Sequence, residues 1–246
     1  ENPSETEFKR TQIIGKASLE IIEGLTWNAN YSYLDSQHTY SGYNTRKSQL
    51  EGLSSKNGQA SRNTYFGKEH TFETYGNFER TFADAHKVNL MAGYSWEERK
   101  TGDGFGLTVH DFYNDDLLWN NLTYASTIDG IPAVQSGTKQ NVRNISFYGR
   151  LSYSYNSRYM FQATVRRDGS SVFGKDNRWA TFPSFSAAWN ITAESFMEDQ
   201  ELFDNLKLRV GYGVSGNAMG FDAFTAVATY GATGFFDYNG KMWRTL

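Results

Sequence analysis

Residues 146–217 read SFYGRLSYSYNSRYMFQATVRRDGSSVFGKDNRWATFPSFSAAWNITAESFMEDQELFDNLKLRVGYGVSGN. The beginning of this stretch alternates with almost no interruption. Ile145, Phe147, Gly149, Leu151, Tyr153 and Tyr155 fall on one face of a strand, and Ser146, Tyr148, Arg150, Ser152 and Ser154 on the other, because successive strand side chains point to opposite sides. After the short turn Asn156-Ser157-Arg158, Tyr159, Phe161, Ala163 and Val165 alternate with Met160, Gln162, Thr164 and Arg166. Paired strands of about ten residues, apolar on one face and wet on the other, with aromatics near their ends, meet the demands of a transmembrane β-barrel.

The same rhythm extends in both directions. Residues 10–21 form a first strand with Ile13, Gly15, Ala17, Leu19 and Ile21 on its apolar side. Glu23-Gly24 supplies a tight turn, since glycine tolerates the positive φ that short hairpins require. Residues 25–40 return with Leu25, Trp27, Ala29, Tyr31 and Tyr33 on one face, and residues 41–68 read as a long polar loop. Residues 70–82 and 87–100 make a second hairpin around 83–86, with Val88, Leu90, Ala92, Tyr94 and Trp96 sharing a face. Residues 101–140 read as another long loop, 169–178 as a medium one, and 192–204 as a short helix or turn. Strands at 179–191, 205–213 and 221–230 complete the pattern. Connection lengths segregate by parity: 23–24, 83–86, 156–158 and 192–204 fall on one side, and 41–68, 101–140, 169–178 and 214–220 on the other. Outer-membrane barrels have short periplasmic turns and long extracellular loops, which this parity reproduces with 192–204 the one long exception.

Composition narrows the choice further. Aromatics make up 16% of the 246 residues, with only three prolines, which favours strands. The mean hydropathy of -0.62 suggests a soluble chain, but alternating barrel strands give a weak signal per segment. No run approaches the ~18 consecutive apolar residues of a membrane helix. Cysteine is absent, so neither a disulfide framework nor a thiolate metal site can form. A net charge of -3 gives no basis for nucleic-acid binding. No signal peptide is visible and the chain starts at Glu1, so it reads as an excised or incomplete piece.

Several separate blocks, in order, resemble the barrel of SusC/RagA-type TonB-dependent transporters. They are Gly149-Arg150-Leu151-Ser152-Tyr153-Ser154-Tyr155, Arg166-Arg167-Asp168-Gly169-Ser170-Ser171, Phe173-Gly174, Asn177-Arg178-Trp179 and Thr181-Phe182-Pro183-Ser184-Phe185-Ser186-Ala187-Ala188-Trp189. Asn205-Leu206-Lys207-Leu208-Arg209-Val210-Gly211-Tyr212-Gly213 and Gly216-Asn217 continue the series, and Ala92-Gly93-Tyr94-Ser95 is a looser match upstream. The resemblance implies an all-β fold, an antiparallel transmembrane β-barrel portion of about nine or ten strands out of the ~22 of such transporters. The whole of 1–246 is then part of the barrel domain, and no plug domain or TonB box is recognisable in it. The family imports oligosaccharides or peptides, presented by a SusD-like lipoprotein and energised through the TonB-ExbB-ExbD complex. The resemblance also accounts for the insert at 192–204.

Other signals carry less. Gly211-Tyr212-Gly213-Val214-Ser215-Gly216 fits G-x-G-x-x-G, but a dinucleotide site needs a helix next, whereas another alternating stretch follows, so these glycines read as a rim turn. The histidines His38, His70, His86 and His110 lack ligand spacing, so no zinc site is assigned. Asp111, Asp115 and Asp116 lack the spacing of a calcium loop and read as a solvated loop face. The Asn-x-Ser/Thr sites at Asn30, Asn121, Asn144 and Asn190 lie mostly within strands and carry no glycosylation meaning in a bacterial outer membrane. No catalytic residue and no cofactor is assigned.

Three residue sets have functional readings. Phe112, Asn114, Trp119, Asn120, Asn121 and Tyr124 sit in a long outward loop, where aromatic faces and amides suit a sugar or peptide, against the plainer reading of loop-packing aromatics. Arg150, Arg166, Lys207 and Arg209 lie on the wet face, as lumen charges that tune selectivity or pair within the barrel. Trp27, Tyr31, Tyr94, Trp96, Tyr153, Tyr155 and Tyr159 read as an interfacial girdle, their rings spanning apolar and wet zones against membrane lipid. Two other classes remain: a small passive outer-membrane channel or adhesin, and a soluble all-β carbohydrate-binding module with Trp and Tyr as stacking platforms.

Overall fold

A computed structural model describes residues 2–49, 57–125, 133–198, 202–217, 221, 223–225, 234–238 and 241–245. The strands are β1 (Ser4–Ile22), β2 (Leu25–Asn44), β3 (Gln59–Phe82), β4 (His86–His110), β5 (Ala133–Ser136), β6 (Gln140–Tyr155), β7 (Tyr159–Ser170), β8 (Trp179–Asn190), β9 (Lys207–Gly213), β10 (Gly234–Tyr238) and β11 (Lys241–Thr245). The main sheet runs β1-β2-β3-β4-β6-β7-β8-β9, with β5 paired beside β6 on β4, and β10-β11 form a separate hairpin. Every pairing is antiparallel. The sheet is not closed: β1 and β9 are its edges among the described residues.

Registers carry the alternation across the sheet without a slip in the membrane zone. One row runs Tyr33↔His70↔Glu98↔Arg143, and two residues toward the other end a second runs Tyr31↔Phe72↔Trp96↔Ile145↔Gly169↔Trp179. Lower still, Phe78↔Leu90↔Leu151↔Ala163↔Phe185↔Tyr212 lie side by side. Every one of these rows shares the face that presents Ile13, Leu19, Leu25 and Trp27 at the β1 end of the sheet. That face is exposed although it is apolar: Phe147 and Val165 are each 50% accessible and Val210 61%. No second layer covers it among the described residues, where the buried hydrophobic side chains are Tyr43, Ala60, Val109, Phe112 and Val172. Such a face suits a layer of lipid, and cross-strand pairing satisfies the backbone groups of the strands between the two edges there.

The short connections have a repeated geometry. Ala83 and Asp84 (φ 47° and 54°) and Asn156 and Ser157 (φ 50° and 55°) both place two consecutive residues in the left-handed region. In each, the N–H of the residue after them donates to the carbonyl before them, Ala85 to Phe82 and Arg158 to Tyr155. This primed turn matches the twist of antiparallel strands. Gly24 (φ 80°) serves the β1–β2 turn, and a Cβ there would collide with the Glu79 carbonyl oxygen. The insert after β8 forms two 3-10 turns, Ile191–Ala193 and Ser195–Met197, in keeping with the helix-or-turn expectation.

Two long-loop expectations need correction. β2 continues to Asn44 and β3 begins at Gln59, so most of 57–68 is strand; β4 runs on to His110, and β5 lies within 101–140. These extensions are rich in Ser, Thr, Asn and Gly, with only Phe105, Leu107 and Val109 alternating over a short run of β4, and antiparallel partners satisfy their backbone groups. The expected strand at 221–230 is a turn over 223–225, and 222 and 226–230 lie outside the described residues. Gly211 and Gly213 belong to β9, with 214–217 irregular after it, and no helix opens there.

Candidate functional site

The face opposite the apolar one is polar along its length. It carries Arg150, Arg166, Lys207 and Arg209, the four cations singled out in the sequence, because each is one residue out of step with an apolar row. Tyr148 on β6 lies against Gly93 on β4, where an added Cβ would come within 2.6 Å of its ring. The ring thereby crosses β4, and its hydroxyl donates to Glu73 Oε1 of β3 at 2.6 Å. Arg166 donates from Nε to both oxygens of Asp168 (2.7 and 3.0 Å) and from a terminal nitrogen to Ser146 Oγ (2.8 Å). Its guanidinium also sits 5.9 Å from the Tyr148 ring centroid. Nearer the long-loop end, Ser170 donates to Asn144 Oδ1 (2.7 Å), while Arg99 holds Glu97 at 2.6 Å and reaches Glu69 at 3.4 Å.

The part of this face around Arg166 and Asp168 lines a recess of about 570 Å³. Ser95 and Glu97 come from β4, Asn144 and Ser146 from β6, Arg166 and Asp168 from β7, and Ala180 and Phe182 from β8, with Phe173, Asn177 and Arg178 leaning over from the β7–β8 loop. Carboxylates, amides and guanidiniums beside two phenyl rings can bind hydroxyls or peptide groups by directed hydrogen bonds and apolar contact. A second polar recess below it, of about 520 Å³, is bounded by Thr26, Asn28, Glu73, Tyr75, Asn77, Met91, Tyr148 and Arg150. Among the described residues no group of three or more His, Asp or Glu side chains is placed to hold a metal ion.

The outward-loop candidates fall into two groups. Phe112 is 3% exposed and packs with Tyr43, Ala60 and Val109, its ring 5.2 Å from that of Tyr43. Trp119 lies against the same cluster, so both rings serve the loop's own core. The Asn114 carbonyl accepts from the Tyr43 hydroxyl, and Asp115 accepts from that hydroxyl (2.8 Å) and from the Arg46 N–H (3.2 Å). Asn121 caps the 3-10 turn Leu122–Tyr124. Asn120 and Tyr124 remain exposed. Of the girdle residues, Trp27, Tyr31, Tyr155 and Tyr159 are each more than a third exposed on the apolar face, and Tyr94, Trp96 and Tyr153 are half-buried on that face beside their cross-strand neighbours.

One polar cluster on the short-turn side has no signature in the sequence. Glu194, between the two 3-10 turns, accepts from the Tyr159 hydroxyl (2.6 Å), the Trp189 indole N–H (2.9 Å) and Arg158 (2.9 Å). It ties the insert to the ends of β7 and β8. The Tyr159 hydrogen bond, then that of Trp189, with Arg158 adding to them, holds the Glu194 carboxyl below its ordinary range, against the opposing effect of burial. A depressed folded value means that this carboxylate's contribution is complete above the ordinary glutamate range and is lost only as pH falls through the lower folded value. Trp189 fluorescence is therefore expected to stay constant from neutral pH down through the ordinary range and change below it. Glu194→Gln should abolish that step; an unchanged step in the variant would assign it elsewhere.

An unclosed antiparallel sheet with an apolar outer face, a polar inner face, short turns at one end and long loops at the other defines the wall of an outer-membrane β-barrel. The chain belongs to the TonB dependent receptor-like β-barrel family, which it matches over residues 2–241, and it resides in the outer membrane. It is 30% identical over 233 residues to TonB-dependent receptor P39 of Formosa agariphila, covering 92% of this chain and 21% of that protein. It is 46% identical over 86 residues to TonB-dependent receptor SusC of Bacteroides thetaiotaomicron, covering 35% of this chain and 9% of that one. The RagAB peptide transporter structure superposes with a TM-score of 0.81 at 20% identity, over 100% of this chain and 26% of that one. The chain thus spans about a fifth or less of the length of these two relatives. The family is one of receptors and transporters, not of enzymes.

Proposed function

We propose that the chain forms part of the wall of an active importer of oligosaccharides or peptides. Its plug domain and TonB box lie outside these residues, and it does no bond chemistry. A SusD-like surface lipoprotein presents the substrate, and the TonB-ExbB-ExbD complex supplies energy through the plug. The observation that carries this reading is the polar wall culminating in the recess around Arg166 and Asp168, just below the long-loop end. Such a wall passes a hydrophilic cargo and holds it weakly enough to release it. The exposed Asn114, Asn120 and Tyr124, with the surface that Phe112 and Trp119 support from beneath, form the outer lip at which substrate first arrives.

Deletion of the gene should abolish growth on one class of oligosaccharide or peptide as sole carbon source, and the wild-type gene should restore it. In the restored strain, Asp168→Asn should lower substrate affinity about tenfold, the scale of one charged hydrogen bond. Growth of the deletion strain on every substrate tested would overturn the reading. A stable open conductance from the purified full-length protein in a planar bilayer would favour a passive channel instead.

A further inference from the structure

Charges on the apolar face gather at its long-loop edge, where most of them are paired, while Arg80 stands over the Phe82 ring at the short-turn edge. Lys68 meets Asp35 at 3.7 Å, and Lys100 and Arg143 both meet Glu98, at 3.1 and 2.8 Å. Around Trp179 the balance differs. Arg167 faces the same side as Phe147 and Trp179, between Val165 and Gly169, with its guanidinium 5.5 Å from the indole centroid and no acidic partner among the described residues. Arg178, which also borders the polar recess, donates its side chain to the Phe173 carbonyl and to no other acceptor among the described residues. Arg143, satisfied by Glu98 through Nε alone, keeps its terminal nitrogens available, and its side chain is 61% exposed. Arg143 and Arg178 border one recess of about 390 Å³ whose floor is Ile145, Gly169 and Trp179.

Below that recess lies an aromatic shelf. The Trp179 indole lies flat over Gly169, 3.0 Å from where a Cβ would stand, and stacks toward Phe147 at 6.1 Å; Tyr94 follows at 5.3 Å. Guanidiniums that keep donors free above, two of them with no acidic partner among the described residues, and exposed rings below match a molecule with an anionic head and apolar tails. An unpaired arginine on a lipid-facing surface raises its charge to the interface, where phosphate is its preferred bidentate partner. We propose that Arg143, Arg167 and Arg178, seated around Trp179, bind the phosphorylated headgroup of an outer-leaflet lipid, whose acyl chains lie along Trp179, Phe147 and Val165. Basic pockets at the membrane surface recognise anionic headgroups in this way.

The test uses the full-length protein purified into nanodiscs, with a phosphorylated outer-leaflet glycolipid or the same lipid after phosphatase treatment. Retention of lipid through washing, read by native mass spectrometry, should favour the phosphorylated form about tenfold or more. The Arg167→Gln/Arg178→Gln variant should lose that preference, and Lys68→Gln, altering a paired rim cation, should keep it. Equal retention of the two lipids by the wild-type protein would overturn the proposal, and this comparison needs no variant to fold. Saturable binding of inorganic phosphate to lipid-free protein, unaffected by added lipid, would identify a free-anion site and overturn the assignment to a lipid.

Discussion

Leu151→Arg is expected to destabilise the folded protein by about 2–4 kcal/mol, while Ser152→Arg, one residue along the same strand, should be nearly neutral. Leu151 sits on the apolar face of β6, between Phe147 and Tyr155 of that face and beside Leu90 of β4 and Ala163 of β7. Arginine there places a charge among lipid-facing side chains, which it can leave only by reaching past the girdle to water. Ser152 points to the polar wall, where Arg150 and Ser154 are its neighbours in sequence on that face. Reversible urea unfolding of the protein in lipid vesicles measures both. Equal costs at the two positions would mean that the two faces see the same surroundings, as they would in a water-soluble sheet.

The second large effect is at the long-loop end. Tyr43→Ala should weaken the cluster of Tyr43, Ala60, Val109 and Phe112 by about 3–5 kcal/mol, the usual result of removing a buried aromatic. Tyr43 is 2% exposed, packs edge-on against Phe112, and donates to Asp115. Its loss removes packing and leaves the half-buried Asp115 carboxylate with fewer partners. The effect should be local, since the membrane part of β2 pairs independently of this cluster. Protease cleavage within 111–125 should accelerate sharply while the barrel remains resistant, and Tyr43→Phe should fall between the two. Unchanged cleavage in Tyr43→Ala would show that the loop is held by something other than this packing.

The membrane part of the fold was legible in the sequence because one physical constraint writes it in every second residue. Lipid on one side and water on the other force the alternation of 145–155 and 159–166, and the register preserves it through eight strands. The direction of the strands followed from loop lengths alone, and the order β6-β7-β8-β9 matches it. Beyond the lipid zone that constraint no longer applies. Residues 59–69 and 101–110 are strands held by backbone pairing, yet their Ser, Thr, Asn and Gly content reads as loop. Composition alone could not tell a paired polar strand from an unpaired one.

The polar wall was legible in part. Its cations stand out against a serine-rich background, so Arg150, Arg166, Lys207 and Arg209 were singled out. Asp168, Glu97 and Asn144 occupy the same face by the same parity and were passed over, although extending the alternation would have found them. The Glu194 cluster was illegible for a different reason: its partners Arg158, Tyr159 and Trp189 come together only through pairing of β7 with β8. Phe112 and Trp119 show the reverse case. An aromatic in a polar loop attracts a binding role, but a long loop outside the membrane needs a core of its own, and these rings supply it.

The two-faced wall is tested most directly by single cysteines, since the chain contains none of its own. Cysteine at Phe147, Leu151, Ser152 and Ser154 in turn would be reacted in intact outer membranes with a small charged thiol reagent or with a lipid-partitioning one. Positions 152 and 154 should react with the charged reagent, and 147 and 151 only with the lipid-partitioning one. Charged-reagent labelling that fails to alternate, or that favours 147 and 151, would contradict the assignment of the apolar face to lipid and of the polar face to the lumen.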